Sequence, residues 1–285
     1  MKNRYIIPAV LFYLAFLLAC KQKAAFSSPA GYDFGNPEKF VMPESLLEIS
    51  GICFKPTTSD TIYAVQDEEG KLFRQRWGVK AQQNMHFAAG GDYEDVTYLK
   101  GWFYVLKSNG HMYGFKEEPF DKNGANDTRV FKQLVPKGEY EGLFADQSSG
   151  LLYVLCKNCK TGERGSAPGY VLGSDSAGAA LKLVSQFSVT AGVSLAKKKK
   201  KKQAAFRPSA LARHPKTGEW FVLSSFNKLL LIVDENWKVQ SRHELDGGVF
   251  NQPEGMAFDP EGNLYISNEG GELDAGNVLK FTYRR

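Results

Sequence analysis

QPEGMAFDPEGNLYISNEG (252–270) sets a Glu-Gly pair ahead of a short apolar run, then an Asp-Pro-Glu-Gly-Asn turn, then a second apolar run. This is the order strand, turn, strand: proline presets φ, while glycine and asparagine accept the positive φ of tight hairpins. The same layout recurs in YEGLFADQSSGLLYVLCK from Tyr140. It is also visible in EISGICFKPTTSDTIYAVQDEEG from Glu48, DYEDVTYLKGWFYVLKSNG from Asp92 and RPSALARHPKTGEWFVLSSFNK from Arg207. Aligning Ser50, Glu94, Glu141, Ser209 and Glu254 gives intervals of 44, 47, 68 and 45 residues. A further strand follows in each unit, as at Lys71 to Arg76, His111 to Lys116 and Lys228 to Val233. Periods of 40 to 50 with four strands per unit predict an all-β fold, a β-propeller. Helical solenoids of similar period need apolar spacings of three and four, which these runs lack.

Five blades are visible as repeats. The long interval, which contains Gly/Ser/Ala-rich and lysine-rich sequence over about 162–205, is read as one unit plus an insertion, leaving six blades possible. The first strand of each blade lines the central channel of a propeller, where small residues let neighbours approach. Gly51, Gly142, Ala210 and Gly255 fit that place, with Asp95 as the departure. Pairing of the apolar stretch Lys39 to Pro43 with Asn277 to Tyr283 would close the ring and remove its open edges.

One position before those small residues, Glu94, Glu141 and Glu254 are expected to converge near one mouth of the channel. Carboxylates held together repel strongly at low dielectric, so a cation, a proton or a partner must offset them. Oxygen donors suit Ca²⁺, and further oxygens are offered where the second strands end, by Asp67, Asn109, Asn268 and Glu269. The expected metal ligands are therefore Glu94, Glu141, Glu254, Asp67 and Glu269, with calcium as the ion. The alternative is that each glutamate caps a turn at a blade junction. Nucleophilic catalysis finds no support: none of His86, His111, His214 and His243 adjoins a Gly-x-Ser-x-Gly elbow.

The chain opens with Met1, Lys2 and Arg4, an apolar run Tyr5 to Leu18, and Leu17-Leu18-Ala19-Cys20, the layout of a secretory signal ending in a lipobox. The run is shorter than the roughly 20 residues of a membrane span. Cleavage before Cys20 and acylation of that cysteine are expected, giving a signal peptide at 1–19, a flexible tether at 20–37 and a single propeller domain at 38–285. The expected location is the cell envelope, lipid-anchored to a membrane and periplasmic or surface-facing.

The net charge of +5 comes from 36 basic and 31 acidic side chains. Without Lys2, Arg4 and the hexalysine Lys197–Lys202, 28 basic side chains face 31 acidic ones, so the folded body is mildly acidic. Nothing else resembles a nucleic-acid module, and the lysine run reads as a solvated loop. A monomer is expected, its partner an unidentified small molecule or envelope protein. In an oxidising compartment, Cys156 and Cys159 have three readings: a small structural disulfide, a redox pair or metal ligands. Their place at the end of a strand favours the first.

Five segments in order resemble the SdiA-regulated family of bacterial propeller proteins: Ile49 to Phe54 with Ala64 to Glu68, Tyr93 to Tyr98, Glu141 to Phe144, Ser209 to Ser225, and Pro253 to Glu269. The resemblance covers about Phe40 to Phe281 and implies a periplasmic or membrane-associated lipoprotein propeller with a calcium or other cation site. It extends distantly to metal-dependent propeller lactonases and esterase-like phytase domains. The hexalysine run departs from the pattern. Two functions follow as expectations: a non-enzymatic ligand- or partner-binding propeller, or a metal-dependent hydrolase of lactones or phosphoesters.

Overall fold

The structure, a computed structural model, describes residues 26–117, 120, 124–161, 165–175, 180–192 and 205–284. Cys20, the leader and the hexalysine run lie outside the described residues. Twenty strands form five four-stranded antiparallel sheets. Blade one contains β2 (Ile49–Cys53), β3 (Thr61–Gln66), β4 (Lys71–Arg76) and β5 (Gln83–His86). Blade two contains β6 (Tyr93–Leu99), β7 (Trp102–Lys107), β8 (Met112–Lys116) and β9 (Arg129–Phe131). Blade three contains β10 (Gly138–Asp146), β11 (Leu151–Cys159), β12 (Ser166–Ser174) and β13 (Leu181–Thr190). Blade four contains β14 (Ala210–Arg213), β15 (Trp220–Ser224), β16 (Leu229–Val233) and β17 (Val239–Glu244). Blade five joins β18 (Pro253–Phe258), β19 (Leu264–Asn268) and β20 (Asn277–Phe281) to β1 (Glu38–Val41) from the other end of the chain.

The predicted closure is present, with Glu38 opposite Lys280 and Val41 opposite Asn277. The innermost strands β2, β6, β10, β14 and β18 each touch the next around the ring, and β18 touches β2. Among the described residues no helix is long and apolar enough to cross a membrane.

The core lies in the five seams between blades rather than on the axis, one apolar cluster per seam. A strand in the middle of a blade is therefore covered on both faces. This explains why WFVLS of β15 and LLLIV of β16 are buried at every position instead of alternating. The outermost strand of blade three, LKLVSQFSVT, is mostly exposed and carries no such run.

Two boundaries need correction. Among the described residues the long interval holds no sixth blade; it holds β12 and β13, which complete blade three, and the part outside the described residues between them and blade four is 193–204. In β12 the buried Tyr170, Val171 and Leu172 are flanked by Gly169 and Gly173, and β13 is mostly exposed, so neither shows a long apolar run. The expected tether at 20–37 is also too long: Tyr32 and Phe34 are buried against blades four and five. The Phe34 ring centroid lies 4.6 Å from that of Phe281, and Tyr32 Oη donates to Gly262 O at 2.7 Å.

At the inner strands the small residues have the expected reason. A Cβ added to Gly255 would lie 2.3 Å from Ser50 O and 3.0 Å from Gly51 Cα in the adjacent blade. Gly255→Ala is accordingly expected to lower stability by about 1–3 kcal/mol, read from chemical denaturation; an unchanged midpoint would contradict this packing. Asp95, the departure from the small-residue pattern, is a joint. Its carboxylate, buried at 2 % exposure, accepts from Leu143 N of blade three at 2.7 Å and from Val96 N at 2.8 Å. On the other seams Ser209 Oγ donates to Pro253 O at 3.0 Å and Ser267 Oγ donates to Ser50 O at 2.6 Å.

Candidate functional site: an acidic channel mouth

Four of the five inner strands break register near their starts, at equivalent places in the repeat. The ladder shifts between Ile49 and Ile52, Tyr93 and Asp95, Tyr140 and Gly142, and Pro253 and Met256. The residues skipped include Ser50, Glu94, Glu141 and Glu254. A β-bulge re-aims the side chain it carries, and here it turns three glutamates out of the seams toward the axis. The strand-turn grammar located these residues, but the bulge that aims them has no single-residue mark in the sequence.

The carboxylates brought together include all five expected ligands. Burial, then the neighbouring Glu141 carboxylate, pushes the Glu94 carboxyl up to about 9. Burial and the Glu254 carboxylate push Glu141 up to about 7, outweighing the Lys157 ammonium. Burial raises Glu254 as well, against Lys157 and a hydrogen bond from Ser225. Glu269 rises to about 8 through burial, Glu254 and Asp67; Asp67 rises to about 6 through burial and Glu48. Of the two asparagines, Asn268 Nδ2 donates to Asn277 Oδ1 at 3.1 Å, whereas Asn109 uses its oxygen to accept from His111 N at 3.1 Å on an exposed turn.

Lys157 was not anticipated. Its ammonium donates to Glu141 Oε1 and also faces Glu254 and Glu94. Burial opposes its charge, but the bond to Glu141 overrides that and raises its pKa. Cys156 and Cys159, joined in a disulfide with Cα atoms 6.1 Å apart, bracket this lysine. Asn158 in the same ring donates to Glu139 Oε2 at 3.2 Å. Lys228 lies nearby, donating to the backbone oxygens of Phe250 and Asn251 and facing Glu254.

Three buried oxygens at this mouth have no hydrogen-bond partner: Glu141 Oε2, Asp67 Oδ1 and Asn268 Oδ1. Glu141 is 5 % exposed and Asn268 fully buried. Among the described residues, however, no three His, Cys, Asp or Glu side chains stand ready to hold one metal ion. Lys157 offsets part of the repulsion among these carboxylates.

These features define a five-bladed β-propeller with an acidic channel mouth. The model of the SdiA-regulated family matches residues 181–272, from the outer strand of blade three through blade four into blade five, and this stretch holds the last two of the five segments that carry the resemblance. A search of curated proteins found no match. Among solved structures the fold is similar to a glutaminyl cyclase from Myxococcus xanthus, at 12% identity over 87% of this chain and 98% of that one, with a TM-score of 0.52. It is also similar to the WD40 repeats of RRP9, at 9% identity over 91% of this chain and 100% of that one, with a TM-score of 0.50. At these identities the likeness is one of fold.

Proposed function

We propose that the protein is an exported, lipid-anchored binding propeller whose acidic mouth takes a calcium ion and presents that face to a small molecule or an envelope partner. The observation that carries this reading is the convergence, through bulges at equivalent places in three blades, of Glu94, Glu141 and Glu254 around the unpartnered Glu141 Oε2. Buried carboxylate and amide oxygens are the hard donors Ca²⁺ prefers. Glu94, Glu141, Glu254, Asp67 and Glu269 would hold the ion. Lys157 would leave Glu141 to admit it, so lysine and ion compete for the same carboxylate. Bound calcium would supply a fixed positive charge at the mouth.

Thermal unfolding tests this directly. At a hundredfold excess over its Kd, a ligand stabilises by about 2.7 kcal/mol, which for a domain of this size raises Tm by roughly 5–10 °C. That rise is expected with Ca²⁺ and is expected to disappear in Glu141→Gln. An unchanged Tm at millimolar Ca²⁺, in both the wild type and Lys157→Met, would sink the proposal. The anchor is tested separately: Cys20→Ser should move the protein from the membrane to the soluble fraction, and retention on the membrane would refute it.

A hydrolase reading has one observation in its favour, a Glu141 carboxyl at about 7, close to where a general base works best. Turnover of lactones or phosphoesters that is lost in folded Glu141→Gln would favour it over pure binding.

A further inference from the structure

The end of the channel opposite the acidic mouth opens into a cavity of about 720 Å³, within the size range of small-molecule sites. It is built from the far ends of all five inner strands and the turns that follow them. Its innermost wall residues Ile52, Val96, Leu143 and Met256 stand two positions along their strands from Ser50, Glu94, Glu141 and Glu254, roughly 7 Å at the rise of a strand. The walls combine apolar side chains, with Ile52, Val96, Leu143, Leu211 and Met256 contributed one per blade, with polar groups at the rim. The charged groups that line it differ in kind from those of the acidic mouth: Lys55, Arg213 and Lys216 against Asp146 and Asp259.

The two carboxylates are already engaged. Asp259 Oδ1 accepts from Asn263 N at 2.8 Å, and Oδ2 accepts from Asn263 Nδ2 at 2.8 Å and Tyr265 Oη at 3.1 Å. Asp146 Oδ1 accepts from Ser148 N at 2.9 Å and Ser148 Oγ at 2.6 Å. Lys55 is bonded to Glu117, and Lys216 lies over the Tyr283 ring. Arg213 is different. Its Nε donates to Gly218 O at 3.0 Å, its plane lies over Trp220, and Nη1 stands 3.5 Å from Asp146 Oδ2, too long for a strong bond. A guanidinium has five N–H donors in a planar fork that matches a carboxylate, and this one is partly buried at the edge of the chamber with donors to spare.

We infer that this second cavity is a binding site for a small amphiphilic carboxylate, its apolar body lying along the channel walls and its anionic head on Arg213. The inference does not depend on a cation at the acidic mouth. That mouth would exclude the same ligand by charge, which makes the two ends of the channel selective for opposite signs.

Isothermal titration of the mature protein in a calcium chelator, with octanoate, octanol and octyltrimethylammonium as probes, tests it. Octanoate is expected to bind saturably. Octanol, which lacks the charge for Arg213, is expected to bind about tenfold more weakly or worse, and the cationic probe weakest of all. Arg213→Met should reduce octanoate to the affinity of octanol. Equal affinities for octanoate and octanol, no saturable heat with octanoate, or an unaltered octanoate affinity in folded Arg213→Met would each overturn the assignment. The comparison of head groups on the wild-type protein stands even if that variant does not fold.

Discussion

A mature chain that starts at residue 42 instead of Cys20 is expected to lose cooperative folding and to aggregate on refolding. The deletion removes three things at once. It takes away β1, whose four residues pair with Asn277 to Lys280, and leaves β20 as an open edge. It also removes Phe34 and Tyr32 from the seam between blades four and five, where their rings meet those of Phe250, Phe281, Phe221 and Tyr283. Finally it cuts the strap of hydrogen bonds Tyr32 Oη to Gly262 O and Arg284 N to Gly31 O, the latter at 2.8 Å. Truncating one large buried aromatic side chain costs about 3–5 kcal/mol, and whole domains are stable by only about 5–15 kcal/mol. Losing two such side chains together with the closing strand therefore removes most of the margin. The open edge then offers unpaired backbone groups to other copies. Calorimetry and size-exclusion chromatography of the two chains compare them directly. A single sharp unfolding transition and monomeric elution for the shortened chain would mean that ring closure is not what holds the propeller together.

The second large effect is on pH dependence. In the folded state the carboxyls of Glu94, Glu269, Glu141 and Asp67 sit at about 9, 8, 7 and 6, whereas in the unfolded chain carboxyls titrate near 4. Each group thus holds its proton more tightly when folded. Between the unfolded and folded pKa values the native state binds more protons than the unfolded one, so stability falls as pH rises. The contribution is fully present below about pH 4 and is lost as pH passes through 6, 7, 8 and 9 in turn. In a calcium chelator the denaturation midpoint should decline steadily from pH 5 to pH 9. Lys157→Met should steepen the decline, because the lysine is bonded to Glu141 and offsets Glu254 and Glu94. Added Ca²⁺ should flatten it. A midpoint that rises or stays level over this range in the chelator would show that the mouth is not a cluster of repelling carboxylates.

The ring itself was legible because turn chemistry repeats. Proline, glycine and asparagine recur at fixed offsets, and the buried middle strands follow them as unbroken apolar runs, as in LLLIV. The same periodicity placed Glu94, Glu141 and Glu254 at equivalent points, so their convergence could be read before any coordinate was known. What escaped reading did so for physical reasons. β13 forms the exposed outer edge of its blade, where apolar runs are not required, and the glycines and serines that flank the buried core of β12 resemble a linker. Tyr32 and Phe34 sit in Gly/Ser/Pro-rich sequence, and only the distant partners Phe250, Phe281 and Gly262 make them core. Lys157 lies between two cysteines in a strand end with no motif of its own, and its ion pair crosses from β11 to β10. The cavity at the other mouth is assembled from the ends of five strands spread over two hundred residues, and no short motif can encode it.

The central claim, that three of the five inner strands gather repelling glutamates at one mouth of the channel, is tested most directly by a carbon-detected NMR titration of the glutamate side-chain carboxyls in a calcium chelator. Single Glu→Gln variants would assign the resonances. The account predicts that Glu141, Glu269 and Glu94 titrate near 7, 8 and 9, and that Glu141→Gln lowers the pKa of Glu94. All three titrating near 4, each unaffected by removal of the others, would contradict it.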